Sequence, residues 1–257
     1  MKRKMKFLNI NESKDIELVL LGDIHYGSKE CMTEELEKTI SYVKNNKNAR
    51  VVLMGDLIDA AMKNSPGAGN FENSFNPQEQ LEYVIAVLMP IKDKIYGVLS
   101  SNHEDRIFKN AGINVLKMFS SILGIKYLGE STLAKIKVGK QNYSLFATHG
   151  ATGSTTISGK INTVMKFSTY IDADIYAMGH VHELLYHKAE YFYIDNGTKM
   201  IKEGTKHFVL TGHYLKYGGY AEQKGYRPGN TGSPVIKLSS KTHKVQVTCG
   251  IWLKQLI

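Results

Sequence analysis

The sequence predicts an α/β fold of two layered sheets flanked by helices, and three observations carry that prediction. Short apolar runs bounded by Gly and Ser alternate with amphipathic helical patterns up to Met178. Five of those runs close in the same way, on a small residue followed by polar side chains. After His182 the alternation gives way to strand-like pieces in succession.

The first run, residues 16–21, leads into Gly22, Asp23, Ile24 and His25; the second, 51–54, leads into Gly55, Asp56, Leu57, Ile58 and Asp59. Residues 95–99 precede Ser100, Ser101, Asn102, His103 and Glu104. Residues 143–147 precede Thr148 and His149, and 175–178 precede Gly179, His180, Val181 and His182. Three helical patterns lie among them. Thr33 is placed to cap a helix with Glu34 and Glu35 in its first turn and Leu36, Ile40 and Val43 on one face. Leu81, Val84, Ile85 and Leu88 form a second apolar face before Pro90, and Ile113, Leu116 and Ile122 a third before Gly124. The later pieces, 191–194, 207–210, 235–238 and 245–251, suggest a second sheet packed on the first within one domain spanning 1–257. Residues 62–80 and 217–234 read as long surface loops.

In α/β sheets, ligands collect beyond the C-terminal ends of the strands, and all five polar clusters occupy that position. Asp23 and His25 are two apart and fall on one side of an extended chain, as do His180 and His182. A carboxylate, imidazoles and an amide gathered there suit manganese, iron, zinc or a similar divalent ion.

Composition sets milder bounds. Net charge is +9, from 33 Lys and Arg against 24 Asp and Glu, which favours association with anions, nucleic acid included. Yet lysines such as Lys135, Lys137 and Lys140 are dispersed as on a solvated surface. The longest apolar stretch, 83–91, is too short to span a membrane and contains Pro90. Residues 1–6 are basic, but Asn9, Asn11, Glu12 and Lys14 follow where a signal peptide is apolar, so the expected location is cytoplasmic. Cys31 and Cys249 are far apart and read as reduced thiols.

In this order the five clusters resemble the motifs of the calcineurin-like metallophosphoesterase superfamily: Asp-x-His, Gly-Asp-x-x-Asp, Asn-His-Glu, an isolated His and Gly-His-x-His. The resemblance covers about residues 16–185, with 186–257 left for the second sheet and loops. It implies a four-layer α-β-β-α sandwich of two mixed sheets that binds two divalent ions, manganese first, with iron, zinc or nickel as alternatives. By motif, Asp23, His25 and His182 hold one ion, Asn102, His149 and His180 the other, and Asp56 bridges them. The implied reaction is hydrolysis of a phosphomonoester or phosphodiester by water activated between the ions, with His103 protonating the leaving oxygen. Asp59 resembles the acid that orients this His in protein phosphatases of the superfamily; the competing reading is a local turn acceptor. Those phosphatases follow the second motif with Arg-Gly, where this chain has Ala60 and Ala61, so protein-phosphatase specificity is not implied. Ser101 stands where the motif usually has Gly.

Three substrate contacts are candidates: Arg106, which competes with a surface ion pair to Glu104 or Asp105, and Tyr217 and Arg227. The last two belong to an aromatic-basic stretch, with Tyr214, Lys216, Tyr220, Lys224 and Tyr226, able to stack bases and hold phosphates. His213 repeats the strand-then-His grammar after the ligand set is complete and reads as structural or substrate-facing. His187 and His207 read as ordinary surface or sheet residues. Residues 153–159 have the composition of a phosphate-binding loop without its Gly-Lys-Ser/Thr ending. Two other classes remain beside a small-substrate phosphoesterase: a DNA or RNA nuclease of the superfamily, and a metal-binding scaffold without catalysis. Oligomeric state is not encoded in any of these features.

Overall fold

The computed structural model describes residues 5–250 apart from 64, 66–70, 72, 224 and 226. In chain order these form β1 (Lys6–Glu12), β2 (Ile16–Leu21), α1 (Thr33–Asn45), β3 (Ala49–Leu53), α2 (Pro77–Leu88) and β4 (Ile95–Leu99). Then come α3 (Asn102–Ala111), α4 (Val115–Leu123), β5 (Lys126–Gly129), β6 (Ser131–Val138), β7 (Gln141–Thr148), α5 (Ile157–Lys166) and β8 (Ile175–Met178). The chain continues through β9 (Leu184–Asp195), β10 (Met200–Thr211), α6 (Gly219–Gln223), β11 (Pro234–Leu238) and β12 (Val245–Cys249).

Two mixed six-stranded sheets result, ordered β12-β11-β2-β3-β4-β5 and β1-β6-β7-β8-β10-β9. In the first, β2 through β5 run parallel; in the second, β7, β8 and β10 do. Strands buried on both faces read as unbroken apolar runs, which is why β2, β4 and β8 match their predicted bounds. Their alternate residues serve different layers. Leu18 and Leu20 of β2 join Val52, Ile136, Leu145 and Ile236 between the sheets. Val19 and Leu21 face the other way, onto Leu36 and Val43 of α1 and Val84 and Phe119 of α2 and α4. On the far side Phe146, Tyr176 and Phe208 pack with Val164 of α5. Three apolar interfaces thus stack helices, sheet, sheet and helix.

Several expectations are corrected. The strands after His182 do not build a sheet of their own: β9 and β10 extend one sheet, while β11 and β12 extend the other. The parallel runs are likewise divided, because β6 and β7 join β1 in the second sheet before β8 is reached. Thr33 does not cap α1; Met32 holds the cap position without a side-chain bond. Around Gly124 the buried face is Val115, Leu116, Phe119 and Leu123, while Ile113 and Ile122 are exposed. The stretch 62–80 is not all loop, since Asn76 caps α2 with a full capping box and Gln80 is buried. Residues 64, 66–70, 72, 224 and 226 of the predicted loops and 251 of the last predicted strand lie outside the described residues. Both cysteines are free, and no helix among the described residues is long and apolar enough to cross a membrane.

The layer between the sheets should dominate stability. Leu20→Ala is expected to lower unfolding free energy by about 3 kcal/mol in urea titrations, by lost burial and a residual cavity. Phe192→Ser, on the exposed part of β9, should change it by about 0.5 kcal/mol or less.

Candidate metal centre

Each candidate side chain sits just past a strand end or at the first residue of the following helix. Asp23 and His25 follow β2, Asp56 and Asp59 follow β3, Asn102 opens α3 after β4, His149 follows β7, and His180 and His182 follow β8. The turns after β2 and β3 stay tied together. The amides of Ile24 and His25 donate to the Asp56 carbonyl at 2.8 and 3.0 Å, and that of Asp59 to the Tyr26 carbonyl at 2.9 Å. To aim these side chains at one point the backbone takes left-handed φ at Asp23 (50°), His25 (50°), Asp56 (48°), His180 (67°) and His182 (49°). Each such non-glycine residue costs about 1–2 kcal/mol, and strain of this kind concentrates at functional sites. Gly179 is fixed by contact: a Cβ there would lie 2.8 Å from Asp23 Oδ2.

All seven predicted ligand side chains converge. His25 Nε2 lies 3.0 Å from His182 Nε2, which lies 3.4 Å from Asp23 Oδ1. Asn102 Oδ1 lies 2.9 Å from His149 Nε2 and 3.0 Å from His180 Nδ1. Asp56 Oδ2 stands between the groups, 3.2 Å from His149 Nε2 and 3.7 Å from His25 Nε2. Two ligand atoms each about 2.1 Å from one ion, at right to tetrahedral angles, lie about 3.0–3.4 Å apart. The donor set fits as well. Asp23 is fully buried, and its Oδ2 has no hydrogen-bond partner among the described residues. A buried carboxylate with an orphaned oxygen is costly unless a cation meets it. These buried His and Asp groups can hold a metal ion.

The protonation states favour ligation. Burial and neighbouring imidazolium charge hold His25 and His180 below the ordinary histidine value. Burial of its ring, with the charges of His103 and His180, pushes His182 down to about 3, although a third of the side chain faces the cleft. Their lone pairs are therefore free at neutral pH. Burial raises Asp23, with the Asp56 charge adding to it. For Asp56, burial acts upward but is outweighed by His149 and His103, leaving it well below the usual carboxylate range. His149 is the exception: burial lowers it, yet Asp56 and Asp23 raise it to about 10. Its Nδ1–H donates to the Met54 carbonyl at 2.8 Å, which turns Nε2 toward the centre.

His103 lies beside the cluster, its Nε2 3.9 Å from Asp56 Oδ2. Its Nδ1–H donates to the Asp59 carbonyl at 2.6 Å, and Asp59 Oδ1 is 3.3 Å from the same nitrogen. Asp59 is thus placed to orient His103, and its other oxygen accepts from Asn73 at 2.6 Å. Arg106 makes neither predicted surface pair. It donates to the Asp59 carbonyl and to His103 Nε2, both at 3.1 Å. Glu104 is buried instead, accepting from the amides of Leu57 and Ile58 at 2.7 and 3.2 Å and from Ser101 Oγ. Ser101 Oγ in turn accepts the Asp56 amide at 2.8 Å. The sequence marks Ser101 only as a departure from the motif's Gly and offers Glu104 only as a surface ion-pair partner for Arg106, not as a buried acceptor. Together they clamp the Asp56 turn to α3, whose first free amides include one, on His103, donating to Asp56 Oδ1 at 3.2 Å.

The centre forms the floor of a cleft of about 820 Å³, which Arg106, Tyr217 and Arg227 all line. Tyr214 does not: it is buried in the core, its hydroxyl bonded to Thr39 and Ser233. Lys224, Tyr226 and the side chain of Tyr220 lie outside the described residues. His207 is a buried sheet residue bonded to Tyr186, and residues 153–155 line the cleft before α5. His213 is buried against the centre, its ring 5.1 Å from that of His182.

No family model matches this chain, and a search of curated proteins returns no match. The geometry itself yields a prediction. A cation bound at His149 would have to displace the proton that Asp56 and Asp23 hold there, so apparent metal affinity should rise with pH until about pH 10. Calorimetry in buffers of different ionisation enthalpy should show proton release; buffer-independent heats would contradict it.

Proposed function

We propose that this chain is a dinuclear metal-dependent phosphoesterase, acting on a phosphomonoester or phosphodiester, as its resemblance to the calcineurin-like metallophosphoesterases implies. The observation that carries the reading is Asp56 Oδ2, placed between a His25–His182–Asp23 group and a His149–His180–Asn102 group. One carboxylate facing two donor sets suits two cations. Manganese is the expected metal, with iron, zinc or nickel able to use the same donors. Such a pair supplies positive charge to a phosphoryl group and makes water a nucleophile near neutral pH.

The chain's own residues supply the rest. His103 delivers a proton to the leaving oxygen from Nε2 while Asp59 holds its Nδ1 side. The carboxylates of Asp56 and Asp59 outweigh burial and raise His103 above its ordinary value, and with cations on Asp56 it is Asp59 that is left to support the protonated form. Arg106 now donates to Nε2, so the acid form requires that it turn away, and a substrate phosphate in the cleft is the natural acceptor. Nuclease activity is the second reading. Lys29, Lys216 and Arg227 join Arg106 along the same cleft and favour a polyanion.

Metal analysis combined with hydrolysis of an aryl phosphate monoester, its diester, single-stranded DNA and RNA in Mn²⁺ tests both. Turnover of an ester is expected; bound metal with no turnover of any of the four would favour a scaffold. His103→Ala should lower kcat by about 10²–10⁴-fold with metal content unchanged, and an unaltered rate would remove His103 from the mechanism.

A further inference from the structure

One buried group beside the centre is unexplained by metal binding or by acid chemistry. His213 is 6% exposed, yet its Nε2 has no hydrogen-bond partner among the described residues. The other ring nitrogen settles what Nε2 is. His213 Nδ1 accepts the Leu215 amide at 3.2 Å, so a neutral imidazole carries its proton on Nε2. A nitrogen bearing that proton is a donor and has no lone pair for a metal. An unsatisfied buried donor costs about 1–3 kcal/mol, and native folds keep one where a ligand completes it.

The surroundings hold this donor in place. The Tyr214 amide donates to the Asp23 carbonyl at 2.9 Å and the Gly232 amide to the His213 carbonyl at 2.8 Å, tying His213 to a ligand turn on one side and a loop on the other. Tyr214, anchored in the core, prevents the segment from shifting. The ring stacks on His182 at an interplanar angle of 19°. Space at Nε2 depends on Gly229: a Cβ there would lie 2.9 Å from Nε2 and 2.1 Å from the His182 carbonyl. Both His213 and Gly229 line the cleft, as does Lys160, whose Nζ lies 3.4 Å from Glu183 Oε2.

We infer that His213 is a substrate-binding residue whose Nε2–H donates to an oxygen of a tetrahedral oxyanion seated at the metal centre. This rests on the phosphoesterase reading for its substrate, a phosphoryl group, but not for its test. A neutral donor suits the position, because it orients an oxygen without adding charge beside cations.

Inorganic phosphate titrated into the zinc-loaded protein tests it without turnover. In the wild-type chain, ¹⁵N-imidazole spectra should show His213 as the Nε2–H tautomer, with that resonance shifting on phosphate addition. His213→Phe keeps a ring against His182 and removes the donor; it should weaken phosphate binding about tenfold with metal content unchanged. His213→Gln places an amide near the lost N–H and should recover most of that loss. For any ester the wild type hydrolyses, the Phe variant should raise KM more than it lowers kcat. An Nδ1–H tautomer, no phosphate shift, unweakened binding in the Phe variant, or no recovery by Gln would overturn the assignment. Absence of ester hydrolysis with these binding results intact would instead overturn the phosphoesterase reading.

Discussion

Two carboxylates, Asp23 and Asp56, are buried within a few ångströms of five imidazoles, and the structure around them depends on how that charge is met. Burial penalises that charge: the two carboxylates raise His149 above its ordinary value, and Asp23 Oδ2 has no hydrogen-bond partner among the described residues. Neither arrangement is an efficient way to bury charge. A cation held by these groups would resolve both, meeting the orphaned oxygen and displacing the proton. Metal affinity and fold stability would then be linked, because a site that binds only in the native state stabilises it.

The cost of gathering these groups is distributed over the two sheets. Five left-handed non-glycine residues would not persist on a flexible loop. They persist because each follows a strand buried on both faces and because neighbouring turns share hydrogen bonds, as between Ile24, His25 and Asp56. Glu104 and Ser101 extend that restraint to α3, so Asn102 and His103 are set by the same contacts that hold Asp56. Tyr214 does the equivalent for the far side, linking α1, the residue that precedes β11 and the Asp23 turn through Thr39, Ser233 and one backbone bond. The site is thus preorganised by packing in the core.

Much of this was legible in the sequence, for identifiable reasons. Parallel strands buried on both faces leave continuous apolar runs, so Ile16–Leu21, Ile95–Leu99 and Ile175–Met178 were readable to the residue. Histidines, carboxylates and an amide are chemically distinctive and stand where such strands end, so the seven side chains singled out in the sequence do come together, with His103 beside them. Sheet membership was not legible, because local patterns do not say which strand pairs with which; β9 to β12 divide between sheets through long-range pairing alone. Ser101 and Glu104 were missed because their tasks are hydrogen bonds to backbone amides distant in sequence. Tyr214 was misplaced for a related reason: a tyrosine beside glycines and lysines resembles a binding loop, and only the fold shows its hydroxyl closed inside the core. His213 was recognised as substrate-facing or structural, but the tautomer that separates a donor from a ligand depends on the Leu215 amide.

The dinuclear proposal requires a cation on each side of Asp56. Anomalous diffraction at the manganese edge from crystals grown with Mn²⁺ tests it most directly. Two peaks about 3.5–4 Å apart are expected on either side of Asp56 Oδ2, one beside His25 and His182 and one beside His149 and His180. A single peak, or none within reach of Asp56, would contradict it.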